Sequence, residues 1–379
     1  MMKINIIVGG RFHVELLANH LIELGHDIRI YTSTPSFFFK NPKIRGLTIF
    51  IPMLFQFIRK VTKINLPSYL KLFDLAIFDY LISKIMRECD LVYGFAGNSY
   101  YCGLAAKNKG IPYLLDRACP HSDVQQKILK IEAKKNNLRH VPLNKQLRYR
   151  LIQEYELADK IVVPSDYTLK SFINKGLKRE KLFLAPLEAK VYPLPPKTKN
   201  KKNNFTIGII GGDLLRKGYI YLFEAYNDLK LKNSQLIILG NKKEILKSLK
   251  IKKIYESRDD IIFLNHVNNI NNFYSKCDIF CLPSVDEGFG MVIPEAMANA
   301  LPIITTTNVG SSFLVRNNIN GFVIPPKNKE ELKNKIEFFY KNTKAINSYG
   351  RESRNSYWEY VNSSDNYKNH IVKLLGEYN

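Results

Sequence analysis

Two glycine-ended apolar strands, one at the start of the chain and one past its middle, constrain the fold more than any other feature. The first is Lys3–Val8, followed at once by Gly9–Gly10, and the second is Phe205–Ile210, followed by Gly211–Gly212. Continuous apolar runs of this length are typical of strands buried on both faces of a parallel sheet. A helical segment and another strand follow each glycine pair, so each half begins with a β-α-β unit. The sequence therefore predicts an α/β protein.

A segment rich in proline and lysine separates the two halves. Residues 191–204 contain Pro193, Pro195 and Pro196, followed by four lysines. Low apolar content and clustered prolines mark a domain boundary. We therefore predict a first domain over residues 1–190, a linker over 191–204 and a second domain over 205–345.

The stretch Val285–Asn299 follows a strand candidate and opens a helix. Gly288 and Gly290 leave backbone amides uncovered, and a loop of this kind before a helix suits a negatively charged group such as a diphosphate. Glu287 lies in the loop, where it can point at a ligand. Glu295 lies in the first turns of the helix, where an acid also favours the helix dipole without binding anything.

The stretch resembles the Glu-seven-Glu signature of the retaining glycosyltransferases of family 4. The resemblance is closest over residues 205–340 and looser over 1–190. It implies the GT-B fold, in which two Rossmann-like domains with parallel sheets face a central cleft, and a C-terminal helix, 346–379, that packs back on the first domain. It also implies a retaining enzyme that moves a sugar from a nucleotide-diphospho-sugar to a saccharide or lipid-linked saccharide, in surface polysaccharide or glycolipid synthesis. In the implied same-face displacement, the leaving phosphate takes the acceptor's proton.

The donor side of this expectation depends on two cations and two acids. Arg216 and Lys217 resemble the family's basic pair that holds the diphosphate, although a solvated pair at a helix start is the alternative. Glu287 would bind the donor sugar and Glu295 the ribose hydroxyls. The implied donor-binding set is Gly211, Gly212, Arg216, Lys217, Glu287, Gly288, Phe289, Gly290 and Glu295, with Lys217 and Glu287 also catalytic.

Two positions depart from the family's pattern. Gly212 stands where many members carry an arginine, and Phe313 stands where relatives often carry a glutamate. Arg216 supplies the missing charge, or phosphate binding depends mainly on Lys217. The departures leave open a non-catalytic partner subunit of the same fold. Another GT-B enzyme, such as a nucleotide-sugar epimerase, is a further alternative.

The acceptor side of the cleft is assigned to the first domain. His121 follows the strand candidate Ile111–Leu115, at the edge where open α/β sheets bind ligands. We match it to the family's histidine that contacts the donor sugar, as a catalytic residue, with a structural role as the alternative. The other acceptor-side candidates are Arg117, with Asp116 beside it, and Gly9, Gly10, Arg11 and His13 at the cleft edge.

The charge balance indicates an anionic partner. The formal net charge is +23, and most of the excess lies in residues 1–200. Apolar and basic residues interleave within 36–88, and 125–150 is also rich in basic residues; such segments suit a membrane surface, although core packing with a solvated basic face explains them too. No recognition motif for nucleic acid is present, so we expect none to bind.

Several classes of site are not expected. The five cysteines lack metal-ligand spacing, and no Asp-x-Asp signature ends a strand. We therefore predict no metal and no cofactor beyond the donor substrate. No signal peptide is recognisable, and no apolar run approaches the roughly 20 residues needed to span a bilayer. The expected location is the cytoplasm, at the inner face of the membrane if that contact is made.

Overall fold

The computed structural model describes residues 1–10, 13–33, 41, 46–48, 68–138, 142–189, 204–242, 245, 258–265 and 267–378. Arg11, linker residues 191–203 and most of the apolar and basic stretch between 36 and 63 lie outside these ranges. What the sequence predicts for them stays a prediction.

The first sheet has seven strands in the order β3-β2-β1-β4-β5-β6-β7, all paired in parallel. The predicted first strand lies at its centre, where Ile6 pairs with Ile30 on one side and with Tyr93 on the other. The strands are β1 (Lys3–Val8), β2 (Asp27–Thr32), β3 (Gly46–Thr48), β4 (Leu91–Phe95), β5 (Tyr113–Asp116), β6 (Lys160–Val163) and β7 (Leu182–Leu184).

Six helices belong to the described part of this domain. The first, α1 (Val14–Glu23), shows how the spacing of apolar residues orients a helix on the sheet. Helix α1 buries Val14, Leu17, Ala18 and Leu21, which recur at the spacing that places side chains on one face of a helix. That face packs on the sheet. The helices are α1 (Val14–Glu23), α2 (Ser68–Ile85), α3 (Tyr100–Asn108), α4 (Ser122–Lys135), α5 (Lys145–Leu157) and α6 (Asp166–Ile173).

The second domain repeats this plan. Its six parallel strands run in the order β10-β9-β8-β11-β12-β13, again with the glycine-ended strand β8 near the centre. The strands are β8 (Phe205–Ile210), β9 (Ser234–Leu239), β10 (Ile261–Leu264), β11 (Ile279–Leu282), β12 (Ile303–Thr306) and β13 (Gly321–Ile324), and the helices are α7 (Tyr219–Leu229), α8 (Asn271–Tyr274), α9 (Val292–Ala298) and α10 (Lys329–Lys341). The predicted pair of Rossmann-like domains is confirmed.

The chain returns to the first domain later than predicted. Helix α11 (Thr343–Val361) still packs on the second domain, where Tyr357 shares a core with Phe280 and Ile293. Tyr357 and Tyr360 of α11 reach the backbone of Ala189 and Pro186 at the end of the first domain. It is α12 (Tyr367–Gly376) that buries one apolar face against the core around β1. The predicted boundary at residue 346 is therefore corrected to the turn between α11 and α12. No helix in the described part of the chain is long and apolar enough to cross a membrane.

Candidate active site

A cavity of about 670 Å³ opens between the two domains, at the carboxyl ends of their strands. This edge is where parallel α/β sheets place ligands. Residues from both domains line it, so the cavity exists only where the two domains face each other. Of the predicted donor-side residues, it brings together Arg216, Lys217, Glu287, Phe289, Gly290 and Glu295.

Glu287 is held between the two predicted cations. Its Oε2 lies 3.0 Å from Nζ of Lys217, and its Oε1 lies 2.7 Å from Nη1 of Arg216. The basic residues lie between β8 and α7, and Glu287 lies between β11 and α9. Nε of Arg216 also lies 3.4 Å from Oδ2 of Asp213, which is outside the cavity lining. Both cations reach the cavity wall, where they can bind an anionic ligand.

The glycine after β8 makes room for the lysine. Gly211 has φ of +131°, and a Cβ placed on it would lie 2.2 Å from Cε of Lys217. A side chain at this position would therefore displace the lysine stem. Gly211 and the exposed Gly212 do not themselves line the cavity. Gly211, which was predicted as a donor-binding residue, therefore leaves the space that the side chain of Lys217 occupies.

Burial and charge act in opposite directions on the two acids of the Glu-seven-Glu stretch. Burial favours the neutral form of Glu287, but the charges of Lys217 and Arg216 outweigh it and hold its pKa below the ordinary value. Burial raises the pKa of Glu295, against the hydrogen bond that Tyr274 Oη donates to its Oε2 at 2.8 Å. Glu287 is therefore firmly anionic, whereas Glu295 is protonated more readily.

Side chains of the first domain form hydrogen bonds with the loop that carries Glu287. Asp286 accepts hydrogen bonds from Nε2 of Gln125 at 2.7 Å and from Oη of Tyr167 at 2.8 Å. The carbonyl oxygen of Gly288 accepts a third from Oγ of Ser165 at 2.6 Å. Burial raises the pKa of Asp286 in spite of these bonds. Closure of the two domains and the position of Glu287 are therefore linked.

His121 does not line the cavity, contrary to the role matched to it from the sequence. Its ring is buried against Tyr155 and Phe172, with centroids 5.1 Å and 5.2 Å away. Its Nδ1 accepts a hydrogen bond from the backbone N–H of Asp123 at 3.2 Å and so caps α4. Burial lowers its pKa to about 4. In this structure His121 is a neutral helix cap.

Arg117, Gly9 and Gly10, which were predicted on the acceptor side, also lie outside the cavity lining. Arg117 donates its backbone N–H to the carbonyl of Val162 at 2.9 Å and its Nη2 to the carbonyl of Pro120 at 3.3 Å. A Cβ on Gly9 would lie 2.1 Å from Oδ1 of Asn98, so Gly9 admits that side chain. Gly10 follows it without lining the cavity, and Arg11 is outside the described residues.

The first-domain wall of the cavity includes His13 and Glu188. His13 lines the cavity and its Nε2 lies 2.8 Å from Oδ2 of Asp116. Glu188 also lines it, and its Oε1 lies 2.9 Å from Nε2 of His20. His13 was predicted at the cleft edge, whereas Glu188 was not predicted. One signal could have found it: Glu188 follows β7, the last strand of the first sheet, at the ligand-binding edge.

Among the residues described, no group of three or more His, Cys, Asp or Glu side chains is placed to hold a metal ion. All five cysteines are free, and Cys102, Cys277 and Cys281 are buried as small apolar side chains. Metal independence stays a prediction.

The chain matches two family models that divide it at the linker. Residues 7–187 match Glycosyltransferase Family 4, and residues 193–356 match Glycosyl transferases group 1. Together the two matches cover both domains and part of α11.

Three curated relatives share about 30% identity or less with parts of the chain. An uncharacterized glycosyltransferase of Haemophilus influenzae is 31% identical over 166 residues, 42% of this chain and 46% of the relative. The capsular polysaccharide biosynthesis glycosyltransferase CapM of Staphylococcus aureus is 26% identical over 162 residues, 40% and 41% of the two chains. The UDP-Gal:alpha-D-GlcNAc-diphosphoundecaprenol alpha-1,3-galactosyltransferase of Escherichia coli is 29% identical over 177 residues, 43% and 40%. These matches span less than half of each relative.

Solved structures agree with the fold over the whole chain. HepE of Anabaena, determined with UDP and glucose, superposes with a TM-score of 0.72 at 18% identity and covers 100% of both chains. At this identity the likeness shows the fold alone. With both halves matched by family models and the two-domain cleft present, the chain belongs to the family 4, group 1 glycosyltransferases of GT-B fold.

Proposed function

We propose that this chain is a retaining glycosyltransferase that moves a sugar from a nucleotide-diphospho-sugar to a saccharide or lipid-linked saccharide acceptor. The observation that carries the proposal is the Arg216–Glu287–Lys217 group in the cavity between the domains. Both cations line the cavity, so they can form charge-assisted hydrogen bonds with an incoming diphosphate.

Each donor-side residue has a proposed task. Lys217 and Arg216 stabilise the charge that develops on the departing diphosphate. Glu287, anionic and fixed by both cations, binds the donor sugar near its reacting carbon. Glu295 accepts hydrogen bonds from the ribose hydroxyls, and Tyr274 orients it through their 2.8 Å contact. The backbone amides around Gly290 add hydrogen bonds to the phosphate oxygens.

The proposed reaction is a displacement on one face of the sugar. A bond forms between the acceptor oxygen and the anomeric carbon while the bond from that carbon to the phosphate oxygen breaks. The acceptor's proton passes to the leaving phosphate oxygen, and a nucleoside diphosphate departs. Closure of the domains around the loop of Glu287 excludes water, which would otherwise compete with the acceptor.

The relatives support this class of substrates. The printed names of the Staphylococcus aureus and Escherichia coli relatives assign them to capsular polysaccharide synthesis and to transfer onto a diphosphoundecaprenol-linked sugar. The Anabaena structure holds UDP and glucose. We propose the same kinds of donor and acceptor for this chain, without a metal ion or further cofactor.

The first test is donor binding and hydrolysis over a panel of UDP-, GDP-, dTDP- and ADP-sugars, with and without EDTA. We expect saturable use of one donor, unchanged by EDTA and lost in Lys217→Met, with Lys344→Met as the control on α11. NMR of the glycoside product should show that the donor's anomeric configuration is kept. If folded protein binds no donor, the enzyme proposal is wrong and a partner subunit takes its place.

We also propose contact with an anionic membrane at its inner, cytoplasmic face. The supporting observation is the outer surface of α4 and α5, where Lys127, Lys130 and Lys134 are exposed. Beside them Ile131 is 53% exposed and Tyr149 of α5 is 66% exposed. Cations around exposed apolar side chains suit an acidic lipid surface.

Vesicle sedimentation tests this contact. Wild type should sediment with vesicles that contain phosphatidylglycerol and stay free of pure phosphatidylcholine vesicles. Lys130→Glu combined with Ile131→Ser should abolish sedimentation, while the control Lys344→Glu should not. Equal binding of wild type and the double variant would rule out this surface.

A further inference from the structure

Helix α1 presents two imidazole–carboxylate pairs to the cavity wall. His13 pairs with Asp116 at 2.8 Å, and His20, seven residues on, pairs with Glu188 at 2.9 Å. Residues seven apart lie on the same face of a helix. The ring of Tyr367 contacts both imidazoles, with centroids 6.4 Å and 5.9 Å away. The two pairs therefore form one surface, and Tyr367 of α12 packs against both of its imidazoles.

Glu188 is fixed before any ligand arrives. Oη of Tyr360 donates to the carbonyl of Pro186 at 2.8 Å, and Oη of Tyr357 exchanges hydrogen bonds with the backbone of Ala189. The backbone on both sides of Glu188 is thus tied to α11. His20 then fixes the side chain itself. A carboxylate held in this way loses little conformational entropy on binding a ligand.

One oxygen of Glu188 remains available to the cavity. Oε1 faces His20, whereas Oε2 has no hydrogen-bond partner in the described part of the chain. The side chain is 12% exposed, and it lines the same cavity as Lys217 and Glu287. An ionised carboxylate only accepts hydrogen bonds. The group that fills this side of the cavity must therefore donate them.

The charge of Glu188 also discriminates between acceptors. A phosphate beside it would place two anions together in a partly buried site, which is unfavourable. Sugar hydroxyls satisfy the free oxygen without that repulsion. The second-domain wall, with Arg216 and Lys217, is where the cavity offers positive charge. The two walls thus differ in the ligand groups that they favour.

We infer that Glu188, positioned by His20, binds hydroxyl groups of an uncharged saccharide acceptor, and that any phosphate of a lipid-linked acceptor lies outside this part of the cavity. The inference builds on the proposed transferase function and names the substrate group at its acceptor end. Glu188 would contact the acceptor directly. His20 acts through Glu188 as a positioning residue.

The experiment compares octyl glycosides with the matching sugar 1-phosphates as acceptors for wild type, Glu188→Gln and His20→Gln. The control is Glu23→Gln, which removes a carboxylate 3.6 Å from Nδ1 of His20 and outside the cavity lining. Acceptor KM, donor KM and kcat are measured separately. Glycoside binding is also followed by saturation-transfer NMR, which needs no turnover.

Wild type should use or bind at least one glycoside and discriminate against its 1-phosphate. Glu188→Gln should raise the glycoside KM or Kd by about 10-fold to 100-fold, as expected for a lost hydrogen bond to a charged group, with donor KM unchanged. His20→Gln should raise acceptor KM with little change in kcat, and Glu23→Gln should behave as wild type.

Two results would overturn the inference. One is a Glu188→Gln variant with the wild-type affinity for the glycoside. The other is a wild type that binds sugar 1-phosphates better than glycosides, or binds no glycoside at all. Failure of the transferase proposal is recognised separately, because wild type would then neither bind nor hydrolyse any donor.

Discussion

Oγ of Ser165, in the first domain, donates a hydrogen bond at 2.6 Å to the carbonyl oxygen of Gly288, in the second. Ser165 also caps α6 by accepting from the backbone N–H of Thr168, and Thr168 Oγ1 reaches the same carbonyl at 3.0 Å. One helix start thus holds the loop next to Glu287. A change in the angle between the domains has to move or break these bonds.

Gly288→Ala should abolish closure without harming either domain. A Cβ at this position would lie 2.0 Å from the carbonyl oxygen of Ala118, across the boundary between the domains. Because neither backbone can shift far enough within its own domain to relieve this clash, the domains have to separate. We expect sugar transfer to fall by about 100-fold or more, since displacements of about 1 Å cost that much.

Small-angle scattering should show a larger radius of gyration for Gly288→Ala, and thermal unfolding should stay close to wild type. Gly376→Ala is the matched control, since a Cβ there has no neighbour within 4 Å. Full activity of the Gly288 variant would mean that the closed arrangement is not needed for transfer.

Tyr274→Phe should make donor binding more sensitive to acid. The Tyr274 hydrogen bond lowers the pKa of Glu295 against the effect of burial, so its removal raises that pKa further. If charged Glu295 binds the ribose, affinity is present above its pKa and is lost as pH falls through it. The midpoint of donor Kd against pH should therefore move to higher pH in the variant. An unshifted profile would remove Glu295 from this role.

His121 should make the protein less stable in mild acid. Burial lowers its pKa from 6.5 to about 4, so between these values the unfolded chain binds a proton that the folded chain does not. The free energy of unfolding should fall as pH drops from about 6.5 to about 4. His121→Asn keeps an oxygen that can cap α4 and should remove this slope in urea titrations. An unchanged slope would contradict the burial of the imidazole.

Glu154 should give the opposite slope. It is fully buried, and burial raises its pKa from 4.5 to about 7, although Gly97 and Ser99 donate backbone hydrogen bonds to it. The folded chain holds an extra proton between these values, so the free energy of unfolding should fall as pH rises from about 4.5 to about 7. In Glu154→Gln this decline should disappear. A decline that persists would assign it to another group.

Tyr357→Phe should destabilise the contact between α11 and the end of the first domain at Ala189. The hydroxyl of Tyr357, which is fully buried, bonds both the N–H and the carbonyl of Ala189. Its loss leaves two buried backbone groups unsatisfied, at a cost of about 2 to 4 kcal/mol. Urea unfolding measures this, with Trp358→Phe as the control because Trp358 is 41% exposed. A loss below about 1 kcal/mol would mean that water replaces the hydroxyl.

The sequence predicted the fold from local patterns. Apolar runs that end in glycine gave both sheets, because such runs have few other buried arrangements. Lys217 and Glu287 are 70 positions apart, so their placement in one site depended on the family resemblance, and their ion pair was not predicted. Asp286 and its bonds from Gln125 and Tyr167 were not foreseen, since they depend on how the domains meet.

The acceptor side was predicted less well. The position of His121 at a strand end suggested a ligand, but the same position begins α4, and its Nδ1 serves as the cap. Periodicity cannot separate these two uses of one residue. Glu188 was missed because no motif surrounds it. Its orientation comes from His20 and α11, both remote in sequence.

The ring of Tyr367 contacts the imidazoles of His13 and His20, although it is synthesised after the entire second domain. The first domain can build its sheet early in synthesis. Its acceptor wall stays unsupported until α12 arrives. Acceptor recognition should therefore be acquired later in translation than donor binding. A chain stopped before Tyr367 should bind a nucleotide sugar but hydrolyse it instead of transferring its sugar to an acceptor.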